Sequence, residues 1–217
     1  MKTALIAGAT GLVGSYLLKY LLEQALYDKV KILVRKPIDL QHPLLEQVVF
    51  DYDSPDYNHL KVTDVYCCLG TTIKKAGSRQ AFRKVDYDYP LQIAQAASQK
   101  GARNFAVVTA VGSDAGSRIF YNRVKGELEE ALSEISLFSL HIFRPSMLLG
   151  SRNEFRFGEE AGKLLFRVLG RFIPAKYKGV HASQVAVCMA RQMQTQKPGK
   201  FIHESDSMHQ YAVMTEK

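Results

Sequence analysis

Thr3-Ala4-Leu5-Ile6-Ala7-Gly8-Ala9-Thr10-Gly11-Leu12-Val13-Gly14 is the stretch that decides the fold. A short apolar run, suited to a buried strand, leads directly into G-x-x-G-x-x-G, and an amphipathic helical pattern follows from Leu12 to Gln24. Glycine at these points serves a tight turn, close approach of backbone to a pyrophosphate, and contact between helix and strand. The helix start offers N–H groups and a positive dipole end to phosphate. Three glycines alone also fit a plain tight turn. The strand before, the helix after and a second strand at Lys29–Val34 turn the motif into a dinucleotide-binding unit. Its candidate cofactor contacts are Gly8, Thr10, Gly11, Leu12, Val13 and Gly14.

Beyond this unit the same alternation continues. Buried-strand runs fall at Gln47–Phe50, Asp64–Cys68, Asn104–Val108 and Ser139–Phe143, and helical patterns at Ser78–Lys100 and Ile119–Glu134. Strand–helix alternation with short connections predicts an α/β fold, a Rossmann-type doubly wound parallel sheet. After Pro145 the pattern changes to a loop at Arg152–Gly158, helices at Glu159–Leu169 and Ala182–Gln194, and a late strand at Phe201–His203. The 217 residues read as one domain, with a dinucleotide-binding core at 1–150 and a small helical cap on the substrate side at 151–217.

The residue after the second strand selects the cofactor. An acid there bonds the ribose hydroxyls of NAD. This chain has Arg35-Lys36, which suits the 2′-phosphate of NADP: Arg35 can hold it bidentately and Lys36 adds charge. The alternative is a solvated surface pair. Asp51 and Tyr52 end the third strand, where Asp51 can accept from the adenine amine. Leu69, Gly70, Thr71 and Thr72 end the fourth, where Gly70 admits the cofactor and the threonine hydroxyls reach phosphate or ribose. Ordinary loop chemistry is the other reading of both.

Tyr121 and Lys125 lie one helical turn apart on one face. The ammonium eases proton loss from the phenol and can hold a ribose. Tyr121 can then exchange a proton with a substrate oxygen as hydride moves at carbon. Y-x-x-x-K occurs three times in this chain, where roughly one is expected by chance. Tyr27/Lys31 straddles a strand start and Tyr57/Lys61 sits in a loop-like stretch. Only Tyr121/Lys125 follows the fifth strand, beside the strand ends where such folds bind ligands. Thr109, twelve residues before Tyr121, is the candidate third catalytic hydroxyl, with Ser113 in reserve; either can instead cap a turn.

Hydrophobic residues at 47% and charged residues at 23% are ordinary for a globular chain, and no apolar run is long enough to span a membrane. Thr3–Ala7 lacks a following cleavage site and reads as a strand, not a leader. Cys67, Cys68 and Cys188 read as reduced core thiols, and the six histidines lack metal-ligand spacing. These features predict a cytoplasmic protein without a metal. No helix-turn-helix or zinc signature points to nucleic acid. The net charge is +8, and the segment Arg144–Lys200 holds eleven Lys or Arg against three Glu, so the whole excess lies there. Arg144, Arg152, Arg156, Lys163, Arg167, Arg171, Lys176 and Lys178 suggest an anionic small-molecule substrate or partner; a solvated basic face is the alternative.

With Gly8–Gly14, Cys67-Cys68-Leu69-Gly70-Thr71-Thr72, Phe82–Asp86, Phe120–Glu129 and Phe143-Arg144-Pro145-Ser146, the chain resembles the atypical short-chain dehydrogenase/reductases, in their Tat-interacting-protein-like branch. The resemblance covers most of residues 1–150. It implies strand order 3-2-1-4-5-6, NADP(H) on the glycine loop and Arg35, and Tyr121 with Lys125 at the catalytic centre. Two departures stand out. Thr109-Ala110 replaces the family's paired serines, and Asp86 stands where many extended members carry asparagine. The expected function is an NADP(H)-dependent oxidoreductase acting on a carbonyl or alcohol. The alternative is an NADPH-binding sensor or protein-interaction module with little turnover.

Overall fold

Strands that are apolar at nearly every position need cover on both faces, and this chain supplies it. The computed structural model describes residues 1–150 and 174–214. Its first half runs β1 (Thr3–Ala7), α1 (Leu12–Glu23), β2 (Lys29–Val34), β3 (Leu45–Val49), β4 (Asp64–Cys67), α2 (Ile73–Ala76) and α3 (Arg79–Arg83). A π-helical turn (Lys84–Asp88) joins α3 to α4 (Tyr89–Gln99). Then follow β5 (Asn104–Val108), α5 (Phe120–Ser133), β6 (Ser139–Arg144), β7 (Leu148–Leu149), β8 (Val180–His181), α6 (Ala182–Met193), β9 (Gly199–Glu204) and α7 (Ser205–Met208).

The main sheet is parallel, in the order β3-β2-β1-β4-β5-β6-β9. This is the expected doubly wound order with the late strand added beside β6. Alternate residues divide the core in two. Ala4, Ile6, Val30, Ile32, Tyr66 and Phe143 face α1 and α6. Leu5, Ala7, Leu33, Val65, Phe105 and Ile142 face α4 and α5. Of the C-terminal stretch read as a cap, α6 covers the α1 face and β9 extends the sheet. The expected loop at Arg152–Gly158 and helix at Glu159–Leu169 lie outside the described residues.

The uninterrupted helix expected over Ser78–Lys100 is corrected: Ser78 Oγ caps α3 by accepting from Ala81 N at 3.0 Å, and the π-helical turn then interrupts the ladder. That turn brings Asp86, in the middle of a polar sequence, to full burial. At the opposite end of the sheet, Tyr27 donates to Asp64 at 2.6 Å, as does Asn104 Nδ2, also at 2.6 Å. The Tyr27 hydroxyl is therefore committed to the core, far from the strand ends that bear the glycine loop. Cys67, Cys68 and Cys188 are free thiols.

Candidate active site

The glycine loop leaves the C-terminal end of β1. Gly8 has φ +84, and a Cβ there would lie 2.7 Å from the Cys68 carbonyl oxygen. The loop thus rests on the end of β4, tied by Cys68 N donating to Ala7 O at 2.8 Å. Gly11 N closes the turn on Gly8 O at 3.0 Å. A Cβ on Gly14 would fall 2.1 Å from the same Gly8 oxygen, so only glycine lets α1 pack this closely on the loop. Thr10 and Gly11 are exposed while Leu12, Val13 and Gly14 are buried. No side chain caps the start of α1 and no acid occupies its first turn. An uncapped helix start behind an exposed glycine turn fits a pyrophosphate.

Arg35 and Lys36 follow β2 and are exposed. Burial raises the Tyr52 phenol above its ordinary range, and the positive charge of Arg35 opposes that rise. The Tyr52 ring packs between Phe50 and Tyr89, each with its centroid 5.0 Å away. Asp51 is exposed, and its Oδ1 accepts from Asp53 N at 2.9 Å. Arg35 and Tyr52 follow the ends of β2 and β3, on the same side of the sheet as the glycine loop after β1, with Asp51 held in a local turn.

Leu69, Gly70, Thr71 and Thr72 leave β4 next to the glycine loop. A Cβ on Gly70 would lie 3.5 Å from Asp86 Oδ1 and 3.9 Å from Lys125 Nζ, so this turn lies over both groups. Thr71 N donates to Asp86 Oδ2 at 2.8 Å, and Lys125 Nζ meets Asp86 Oδ1 at 2.8 Å. Both side chains of this ion pair are almost fully buried. Burial alone would push the ammonium down, but the Asp86 carboxylate and the Tyr121 phenol outweigh it and hold Lys125 above the ordinary lysine range. Tyr121 is half-buried, its ring 5.5 Å from that of Phe82 on α3. Burial pushes the neighbouring Cys67 thiol up to about 11, so it stays protonated at neutral pH.

Three of the candidate hydroxyls are engaged within the protein. The Thr109 hydroxyl is buried and donates to Glu129 Oε1 at 2.6 Å, so its proton is committed away from any substrate. Ser113 is also buried, its Oγ donating to Ala110 O at 2.7 Å in a turn. Thr72 Oγ1 accepts from Lys75 N at 3.1 Å as the cap of α2. Arg144 is not free for an anion either. Its guanidinium grips Glu129, with Nε 3.1 Å from each carboxylate oxygen, and reaches Glu204 at 3.3 Å. Arg152, Arg156, Lys163, Arg167 and Arg171 lie outside the described residues, while Lys176 and Lys178 are exposed.

Comparison with known proteins bears on this arrangement. Residues 46–176 match the HIM1 family. The chain belongs to the HIM1 family. Protein HTATIP2 of Rattus norvegicus is 36% identical over 171 residues, 76% of this chain and 70% of that protein. Protein FMP52, mitochondrial, of Eremothecium gossypii is 34% identical over 198 residues, 86% of this chain and 88% of that one. The first of these bears out the Tat-interacting-protein resemblance. Among solved structures, MoeE5 in complex with UDP-glucose and NAD superposes with a TM-score of 0.70 at 15% identity, over 92% of this chain and 74% of that one. At that identity the likeness shows the fold alone, the doubly wound parallel sheet.

The HIM1 match begins within β3, so it includes the Gly70 turn, Asp86, Thr109, Tyr121 and Lys125 but not the glycine loop or Arg35. The cytoplasmic expectation is corrected by the relatives: the FMP52 proteins of Eremothecium gossypii, Debaryomyces hansenii and Saccharomyces cerevisiae are named mitochondrial. Composition and cysteine usage do not separate one reducing compartment from another, so the sequence carries no signal for that choice. Among the described residues no helix is long and apolar enough to cross a membrane. Sequence reasoning missed Glu129 and underrated Asp86. Both left a signal: an acid on the inward face of a helix needs a buried partner, and Glu129 stands one turn beyond Lys125.

Proposed function

We propose that this chain is an NADP(H)-dependent oxidoreductase of the short-chain dehydrogenase/reductase type, acting on a carbonyl or alcohol. One observation carries the reading: Lys125 meets the Gly70–Thr71 turn, which abuts the glycine loop, and Tyr121 stands one helical turn away, half-exposed. When bound, the nicotinamide supplies the hydride or accepts it. Gly8–Gly14 and the start of α1 hold the pyrophosphate, Arg35 and Lys36 the 2′-phosphate, and Lys125 the nicotinamide ribose. Tyr121 gives a proton to the substrate oxygen in reduction and takes it back in oxidation.

The reading as a cofactor-binding sensor draws on a different observation, the Thr109–Glu129 hydrogen bond, which removes the usual partner hydroxyl from Tyr121. Following NADPH oxidation across a panel of aldehydes, ketones and quinones separates the two. The enzyme reading expects turnover of at least one class, falling about a hundredfold in Tyr121→Phe with NADPH affinity nearly unchanged. Turnover that survives Tyr121→Phe unchanged would overturn the assigned chemistry. Tight NADPH binding without turnover of any class would favour the sensor.

A further inference from the structure

The Lys125–Asp86 pair is the most deeply buried ion pair among the described residues, with side chains 3% and 1% exposed. Lys125 is also the lysine expected to meet the cofactor. Here it is already engaged, and the carboxylate that engages it stands on a π-helical turn whose extra residue carries Asp86 to full burial beside the catalytic helix. The second carboxylate oxygen accepts the Thr71 N–H. One side chain therefore ties three pieces of the site together: the turn after β4, the α3–α4 junction and α5.

We propose that Asp86 is a positioning residue that acts through Lys125, keeping the buried lysine charged and pinned beneath the Gly70–Thr71 turn, so that a nicotinamide dinucleotide meets an ammonium already in place. The inference rests on the reading of Lys125 as a cofactor contact. Among the described residues, the titratable groups that face Lys125 are Asp86 from the π-helical turn, Cys67 from the end of β4 and Tyr121 from α5 itself. Cys67 is a neutral thiol at neutral pH, and Phe82 from α3 brings no charge to the Tyr121 ring. Asp86 is therefore the one carboxylate offsetting the burial of the ammonium. Without it, desolvation acts on Lys125 almost unopposed and favours the neutral amine.

Asparagine at position 86 keeps a carbonyl for the Thr71 N–H and removes only the charge, so Asp86→Asn is the informative variant. NADPH affinity of the unaltered chain should vary less than about twofold between about pH 7 and pH 9, a range above the second phosphate ionisation. In Asp86→Asn it should fall at least about tenfold across the same range, as Lys125 loses its proton. A loss of affinity that is the same at every pH indicates a merely structural role and overturns the proposal. A second measurement needs no cofactor and does not depend on the Asp86→Asn protein. With 15N-labelled lysine, the Lys125 resonance, assigned by its loss in Lys125→Arg, should remain that of an ammonium to about pH 9 in the unaltered chain. A neutral Lys125 at about pH 8 would also overturn the proposal. If NADPH fails to bind at all, the functional reading falls, and the lysine titration still tests the role of Asp86.

Discussion

Gly14→Ala tests whether the contact between α1 and the glycine loop is as tight as the geometry states. The new Cβ would sit 2.1 Å from Gly8 O, 2.9 Å from Gly8 C and 3.0 Å from Ala9 Cα. All three neighbours are backbone, so none can rotate away. Restoring an ordinary carbon–oxygen contact requires the helix to withdraw by about 1 Å, which places the cost near the upper end of overpacking, about 3 kcal/mol. Alanine returns about 1 kcal/mol through its better helix propensity. The net loss of about 2 kcal/mol lowers Tm by roughly 4–8 °C in a domain of this size. Because the withdrawn segment holds the helix start, NADPH affinity should fall at least about tenfold as well. Gly77→Ala is the control. It meets nothing within 4 Å but forces alanine to φ +81, so it should cost stability and leave NADPH affinity alone. Thermal unfolding with and without NADPH reads both effects. A Gly14→Ala protein that melts with the unaltered chain and binds NADPH equally well would refute the argument.

Two other perturbations follow from the buried charges. Glu129→Gln should destabilise by about 2 kcal/mol in urea unfolding, because Arg144 loses the more buried of its two carboxylate partners. Glu127→Gln, on the same helix but with its side chain 30% exposed, should cost less than about 1 kcal/mol. Acid should act through His141 and His203, stacked on β6 and β9 with Nδ1 and Nε2 3.0 Å apart. Burial pushes both rings down to about 4, and the facing His203 adds to the effect on His141. In the unfolded chain histidine takes its proton near about pH 6.5, so the stability of the neutral pair is intact above that pH and is lost as pH falls toward 4. After allowance for partial solvent screening the loss is about 1–2 kcal/mol per ring. Replacing both by phenylalanine should flatten Tm between about pH 6.5 and 4.5, and an unchanged slope would contradict this account.

Periodicity and the glycine motif made most of the sheet legible. The bounds read for β1, β2 and β5 agree with the structure residue for residue, because each is an interior strand carrying a compact apolar run. At the edge the reading drifted. β3 runs Leu45–Val49 rather than Gln47–Phe50, since an edge strand with Val49 63% exposed carries no clean apolar run. The π-helical turn was invisible because one extra residue leaves the helical pattern nearly intact on both sides. At the site, spacing alone placed Tyr121 and Lys125 on one face of α5. It could not show that the Thr109 hydroxyl turns inward, because that depends on Glu129, twenty residues away in sequence. Nor could it show Arg144 engaged by Glu129 and Glu204, a contact that requires β9 to lie beside β6.

The central claim is that the glycine loop and the arginine after β2 select NADP(H). Calorimetric titration of the full chain with NADPH and then NADH addresses it without knowledge of a substrate. NADPH should bind at least about ten times tighter, from one or two charge-assisted hydrogen bonds worth ~1.5–3 kcal/mol. Arg35→Asp, which sets a carboxylate where the 2′-phosphate lies, should reverse the order. Equal affinities for the two cofactors in the unaltered chain, or no heat from either, would contradict the account.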